Sequence, residues 1–309
     1  MAQIPALWNE ISEERLRKSL FTLAKDPFPY RKLNFTLPGH TKSTLHEVDD
    51  WIEAQLQSYG YDVEREGCPV QAFACDKTKP LHQWYAVPPP DAPFYTAYNL
   101  YANKIGSQHP DEIILLLSHK DSQSWIDSPG ANDNAIGTST VLELARVLAD
   151  YPSRRSIRFL FCNEEHLPWT SVTAAEKARQ RGDNLIAIFN MDGVGVKSDE
   201  ERLAGRKTNV TRYTVAEGKR LADLMAEVNE RYNIGLIQTA EQRTQPGDDD
   251  GSFVKAGYGC AVMNIGSNPR SDPQYHREGD VPERTDIPNA RMTAQATLAA
   301  ILTLDSAGS

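Results

Sequence analysis

The sequence has no CxxC pair, no long apolar run, no excess of basic residues and no glycine- or serine-rich linker. Its four cysteines, Cys68, Cys75, Cys162 and Cys260, stand far apart. They read as reduced thiols of an intracellular protein, with a Cys68–Cys75 pair as the alternative if the chain is exported. No stretch approaches the roughly 18 apolar residues of a membrane-spanning helix. The first residues, MAQIPALWNEISEERL, carry neither a basic start nor the apolar core of a secretory signal. A cytoplasmic location without a membrane partner is therefore expected. Lysine and arginine number 33 against 42 aspartates and glutamates, a formal net charge of -9. That balance argues against a nucleic-acid partner. With no linker to divide them, residues 1–309 read as a single domain that has an N-terminal helical segment at about 12–60. Self-association is left open.

What the sequence does contain is strands alternating with helices. The run Ile113 to Leu117 reads as a strand buried on both faces. Ser156 to Cys162 and Leu185 to Asn190 repeat the pattern, and Tyr95 to Ala102 and Cys260 to Ile265 read as further strands. Amphipathic helices are predicted from Ser12, from Ser43 to Ser58, after Gly137, from Ser171 to Arg181, from Glu217 to Tyr232 and from Asp286 onward. Residues 68–93 are broken by Pro69, Pro80 and Pro88-Pro89-Pro90 and read as a hairpin with a rigid loop. Pro246 to Ser252 reads as an acidic turn. The alternation predicts an α/β fold with a mixed, mostly parallel central sheet and helices on both faces.

Three of these strands end in polar residues of one kind: Ser118-His119-Lys120-Asp121, Asn163-Glu164-Glu165-His166, and Asn190-Met191-Asp192-Gly193. The turn Pro129-Gly130-Ala131-Asn132-Asp133-Asn134 follows the first of them. If the strands are parallel, His119, Asp133, Glu165 and Asp192 gather at one sheet edge, where such folds place their ligands. Carboxylates collected in this way repel one another unless a cation lies among them. A divalent metal site accounts for the pattern, and ordinary solvated loop carboxylates are the competing account.

The ordered set His119-Lys120-Asp121, Pro129 to Gly137, Glu164-Glu165, Asn190-Met191-Asp192 and Tyr275-His276, with Asp280 behind it, resembles the M28 family of zinc exopeptidases. The likeness is to its bacterial leucyl aminopeptidase and glutaminyl-cyclase-like group, and it runs from residue 41 to about 302. The resemblance implies a zinc-exopeptidase architecture and two zinc ions per chain, bridged by Asp133. His119 and Asp192 would complete one ion, Glu165 and His276 the other. Asp121 would hold the His119 imidazole, and Glu164 would be the general base that takes a proton from water and returns it to the leaving amine. The family also tends to have a cis peptide after the bridging aspartate, here Asp133–Asn134.

The departures from the family's pattern bear on substrate. His166 and Trp169 are bulky where small residues are common, and are expected to touch substrate. Asp249 stands at the family's aspartate position and Asp250 replaces a histidine; both are expected to favour a substrate ammonium group. The implied activity is removal of N-terminal residues from short peptides. Hydrolysis of a small non-peptide or N-acylated amide, glutaminyl cyclisation, and a non-catalytic binding role remain as alternatives, since all can share these residues.

Overall fold

The computed structural model describes residues 3–268 and 271–307. In chain order the elements begin with helices α1 (Gln3–Trp8), α2 (Glu13–Ala24) and α3 (Thr44–Ser58). Strands β1 (Val63–Ala72), β2 (Ala74–Cys75), β3 (Tyr85–Ala86), β4 (Tyr95–Lys104) and β5 (His109–His119) follow. A wide turn at Ala131–Ala135 leads into α4 (Ile136–Leu148). Then come β6 (Arg155–Cys162), β7 (His166–Leu167), α5 (Thr170–Arg181), β8 (Asn184–Met191), α6 (Asp199–Leu203) and β9 (Thr208–Tyr213). The chain ends with α7 (Ala216–Arg231), β10 (Ile237–Gln242), α8 (Asp248–Lys255), β11 (Ala261–Ile265) and α9 (Ile287–Ser306).

Local sequence explains several boundaries. Ser12 and Ser43 accept the main-chain N–H groups of Arg15 and His46, capping α2 and α3. Asp286 accepts the N–H of Asn289 at the start of α9, where Pro288 occupies the first turn without sacrificing a hydrogen bond. Gly182 ends α5 in the left-handed conformation. The acidic segment expected to be a turn is instead the first part of α8: Asp249, Asp250, Gly251 and Ser252 are helical and buried. Three successive aspartates carry no apolar period, but they lie in the first turn, where the helix dipole favours negative charge.

Nine strands form one sheet in the order β10-β9-β11-β8-β5-β6-β4-β1-β7. Its centre is parallel: β5 pairs with β6 and β8, and β8 pairs with β11. Antiparallel β4 and β1 extend it on one side and β9 on the other, with β10 parallel to β9 at the far edge. Alternation along β5 splits the core. Ile114 and Leu116 pack toward α2, α3, α4, α7 and α9, while Leu115 and Leu117 pack toward α5 and α8. Helices thus cover both faces, and the carboxyl ends of β5, β6 and β8 open on a single edge. All four cysteines are free thiols. Among the described residues no helix is long and apolar enough to cross a membrane.

Candidate metal centre

The three strand tips and the turn before α4 converge. His119 ends β5, Glu164 and Glu165 follow β6, and Asp192 follows β8. The Ala131–Ala135 turn carries Asp133 and the loop before α9 carries His276. The two oxygens of Asp133 face different imidazoles: Oδ1 lies 3.1 Å from His119 Nε2, and Oδ2 lies 3.0 Å from His276 Nε2. Asp192 Oδ1 is 3.7 Å from His119 Nε2, and Glu165 Oε1 is 3.6 Å from His276 Nε2. The donor atoms of His119, Asp133 and Glu165 lie within 4.8 Å of one another, as do those of His119, Glu164 and Asp192. The second group takes in Glu164 rather than Asp133, so Glu164 stands beside His119 and Asp192.

Each side chain is aimed by the chain behind it. Asp121 accepts four donors: the imidazoles of His119 at 3.3 Å and His166 at 2.8 Å, and the main-chain N–H groups of Glu164 at 3.0 Å and Glu165 at 2.9 Å. One carboxylate thereby fixes the His119 ring and the Glu164-Glu165 turn together. Asp280 accepts the N–H groups of Asn132 and Asp133, and His276 Nδ1 donates to the main-chain carbonyl of His82 at 2.9 Å. Asn134 donates to the Met191 carbonyl and accepts from the N–H groups of Gly137 and Gly193, tying the turn to the tip of β8. The Asp133–Asn134 peptide is cis, as the resemblance implied. Gly137 admits no side chain, because a Cβ there would lie 2.1 Å from the Met191 carbonyl oxygen. Behind the turn, the buried guanidinium of Arg31 donates to the carbonyls of Leu23, Lys120, Pro129 and Gly130.

The electrostatics are those of too many carboxylates in one buried place. Burial, then the charge on Asp133, pushes Glu165 up to about 8. Burial and the same neighbour carry Asp192 to about 6, against the pull of His119. Glu164 is also raised well above the usual range by burial and then by Asp249, and its Oε2 is buried without a hydrogen-bond partner. Burial opposes ionisation of Asp133, but hydrogen bonds from the two histidines hold it well below the ordinary carboxylate value. His276 loses proton affinity by burial yet rises to about 9, with the bond to Asp133 the largest opposing cause. Oxygen and imidazole donors in this mixture suit a divalent cation, and zinc accepts both. The residues present therefore fit the metal.

The substrate residues expected from the sequence fare differently. Trp169 lines a cavity of about 460 Å³ that also exposes Glu164, Asp192 and His276. His166 does not reach it: Nδ1 is bonded to Asp121, Nε2 accepts the N–H of Leu33, and the ring is fully buried. Asp249 is buried beneath the floor, accepting the Cys162 thiol at 3.1 Å. Asp250 is buried and paired with Arg243. The expected contact of these two aspartates with a substrate ammonium is corrected, because both carboxylates point into the protein. Of the three successive aspartates, the one that faces the cavity is Asp248, alongside Glu241 and Arg212. Asp250→Asn should accordingly leave KM unchanged and lower folding stability by about 1–3 kcal/mol, since Arg243 loses one buried partner but keeps Asp248. Urea unfolding and a Michaelis curve on the variant check both halves.

The sequence reading also passed over Gln123, whose carboxamide donates to Asp133 and Glu165. A neutral amide inside a loop carries no signal of such a role. Residues 73–86 proved to be a wall of the cavity, contributing Phe73, His82, Gln83 and Tyr85. Trp84 is held there between the cations of Lys77 and Arg277, each 5.2 Å from its ring centre.

A mixed sheet covered on both faces, with imidazoles and carboxylates gathered at the tips of its central strands, is the architecture of a zinc exopeptidase. The chain belongs to peptidase family M28, whose model matches residues 99–301. It is 24% identical over 294 residues to a probable zinc metalloprotease of Pyrenophora teres f. teres, covering 83% of this chain and 57% of that protein. It is 41% identical over 93 residues to aminopeptidase YwaD of Bacillus subtilis, covering 28% of this chain and 19% of that one. The chain thus spans little more than half the length of the Pyrenophora relative, and its match to YwaD takes in about a fifth of that protein. In fold it is similar to the aminopeptidase from Aneurinibacillus sp. strain AM-1, with a TM-score of 0.74 at 16% identity, covering 98% of this chain and 96% of that one. A glutaminyl cyclase of Bacteroides thetaiotaomicron shares the fold at a TM-score of 0.70 and 16% identity, covering 94% and 97% of the two chains.

Proposed function

We propose that the protein is a two-zinc aminopeptidase that removes the N-terminal residue from short peptides. The observation that carries this reading is Asp133, whose two oxygens face His119 and His276 separately, as a carboxylate shared by two ions would. His119 and Asp192 complete the donor set on one side, and Glu165 and His276 on the other. When bound, zinc supplies Lewis-acid polarisation of the scissile carbonyl and acidifies water. The chain supplies the proton carrier. Glu164 sits beside the cluster on the cavity wall, where its carboxylate can reach water and then the leaving amine. It takes the proton of the attacking water and delivers it to the leaving nitrogen. Asp121 keeps His119 and the Glu164-Glu165 turn in register through this exchange.

Substrate is read in the cavity. Its polar end bears Asp248, Glu241, Asp192 and Glu164. Arg212 pairs with Glu241 and Arg243 with Asp248, and the carboxylates that remain favour a free ammonium group over a neutral N-acyl group. The wall formed by residues 73–86 narrows the cavity on one side and favours a short substrate. A dipeptide and its N-acetylated form, compared by kcat/KM, test the reading. The free amine should be strongly preferred. Preference for the acetylated member points instead to an amidohydrolase, and release of a cyclised product from an N-terminal glutamine substrate points to cyclisation.

A further inference from the structure

Gln123 is fully buried between two of the carboxylates just described. Its amide nitrogen lies 2.9 Å from Asp133 Oδ2, 2.9 Å from Glu165 Oε1 and 3.2 Å from the main-chain carbonyl of Asp133. The orientation of the amide is decided by these neighbours. Turned the other way, its carbonyl oxygen would face three acceptors and no donor. In the orientation adopted, Gln123 Oε1 is buried with no hydrogen-bond partner. A buried amide ordinarily satisfies both ends, so this one gives up its acceptor to keep its donors on the carboxylates. The oxygens it holds are the same two that face His276 Nε2, at 3.0 and 3.6 Å.

We infer that Gln123 is a positioning residue for the ion assigned to Asp133, Glu165 and His276. Its amide sets the gap between two carboxylates that would otherwise repel, and so shapes this half of the centre before the ion arrives. The inference rests on the two-zinc reading. It concerns one ion of the two, because no hydrogen bond joins Gln123 to His119 or Asp192 among those of the described residues.

The test is zinc affinity, measured by competition with a chelating dye on the full chain. Gln123→Met keeps the length of the side chain and removes the amide. It should weaken one ion by about 10–100-fold, the usual effect of losing an outer-shell partner. In a His276→Ala background, where that ion is already impaired, Gln123→Met should leave the remaining ion unchanged. If the Met variant does not fold, Gln123→Asn, which keeps the amide but withdraws it by one methylene, should show the same selective loss. Wild-type affinity for both ions in the variants would overturn the inference, as would an equal loss for the remaining ion in the His276→Ala background. Uptake of a single ion by the wild-type chain would instead defeat the two-zinc reading itself.

Discussion

Replacing Glu164 by glutamine should lower kcat by at least about 10²–10⁴-fold, the range assigned to general acid–base catalysis, while zinc uptake stays near that of the wild type. The amide preserves the shape of the side chain and the main-chain N–H bond to Asp121 at 3.0 Å, so the turn has no reason to move. What it removes is the capacity to take a proton from water. Glu165→Gln, one residue on, should do the reverse. Its oxygen is one of the two that face His276, and an amide oxygen is a weaker zinc ligand than a carboxylate. Its activity should fall through loss of metal and return at high zinc. Turnover and bound zinc measured together on the pair check the assignment. Undiminished kcat in Glu164→Gln would reverse the two roles.

Asp133→Ala should release both ions, each with a loss exceeding the roughly 10–100-fold that an outer-shell change produces. It is the residue whose oxygens lie against both imidazoles, so its removal strips a donor from each half. His276→Ala removes a donor from one half alone and should leave the ion beside His119 and Asp192 largely in place. Calorimetric zinc titrations of the two variants separate these outcomes. Equal losses in both would mean that Asp133 is not shared.

How much of this was legible in the sequence follows from what each part depends on. The central strands were readable because each is a short apolar run cut off by polar residues, and burial on both faces leaves no other use for such a run. That polar residues gather at their tips was readable for the same reason, once the strands were taken as parallel. Which of them would hold a metal, and that His276 would join them, came only from the resemblance to the M28 family. The edge strand β10, Ile237–Gln242, was not read. Its side chains are mostly exposed and polar, and it is held by main-chain pairing with β9. The choice among Asp248, Asp249 and Asp250 failed because it depends on where a helix begins. Asp248 has a positive φ at the first position of α8 and stays at the cavity, while the next two residues turn inward. Gln123, the His82 carbonyl and Arg31 act through hydrogen bonds to residues distant in the chain, which neither composition nor periodicity encodes.

The central claim is a centre for two ions that share Asp133. The measurement that tests it most directly is zinc content per chain, by elemental analysis, after saturation and mild dialysis of the wild-type protein. The account predicts two ions per chain, since one cation would leave carboxylates such as Glu165 or Asp192 crowded without a counter-charge. A fully active preparation that holds one ion per chain at saturation would contradict it.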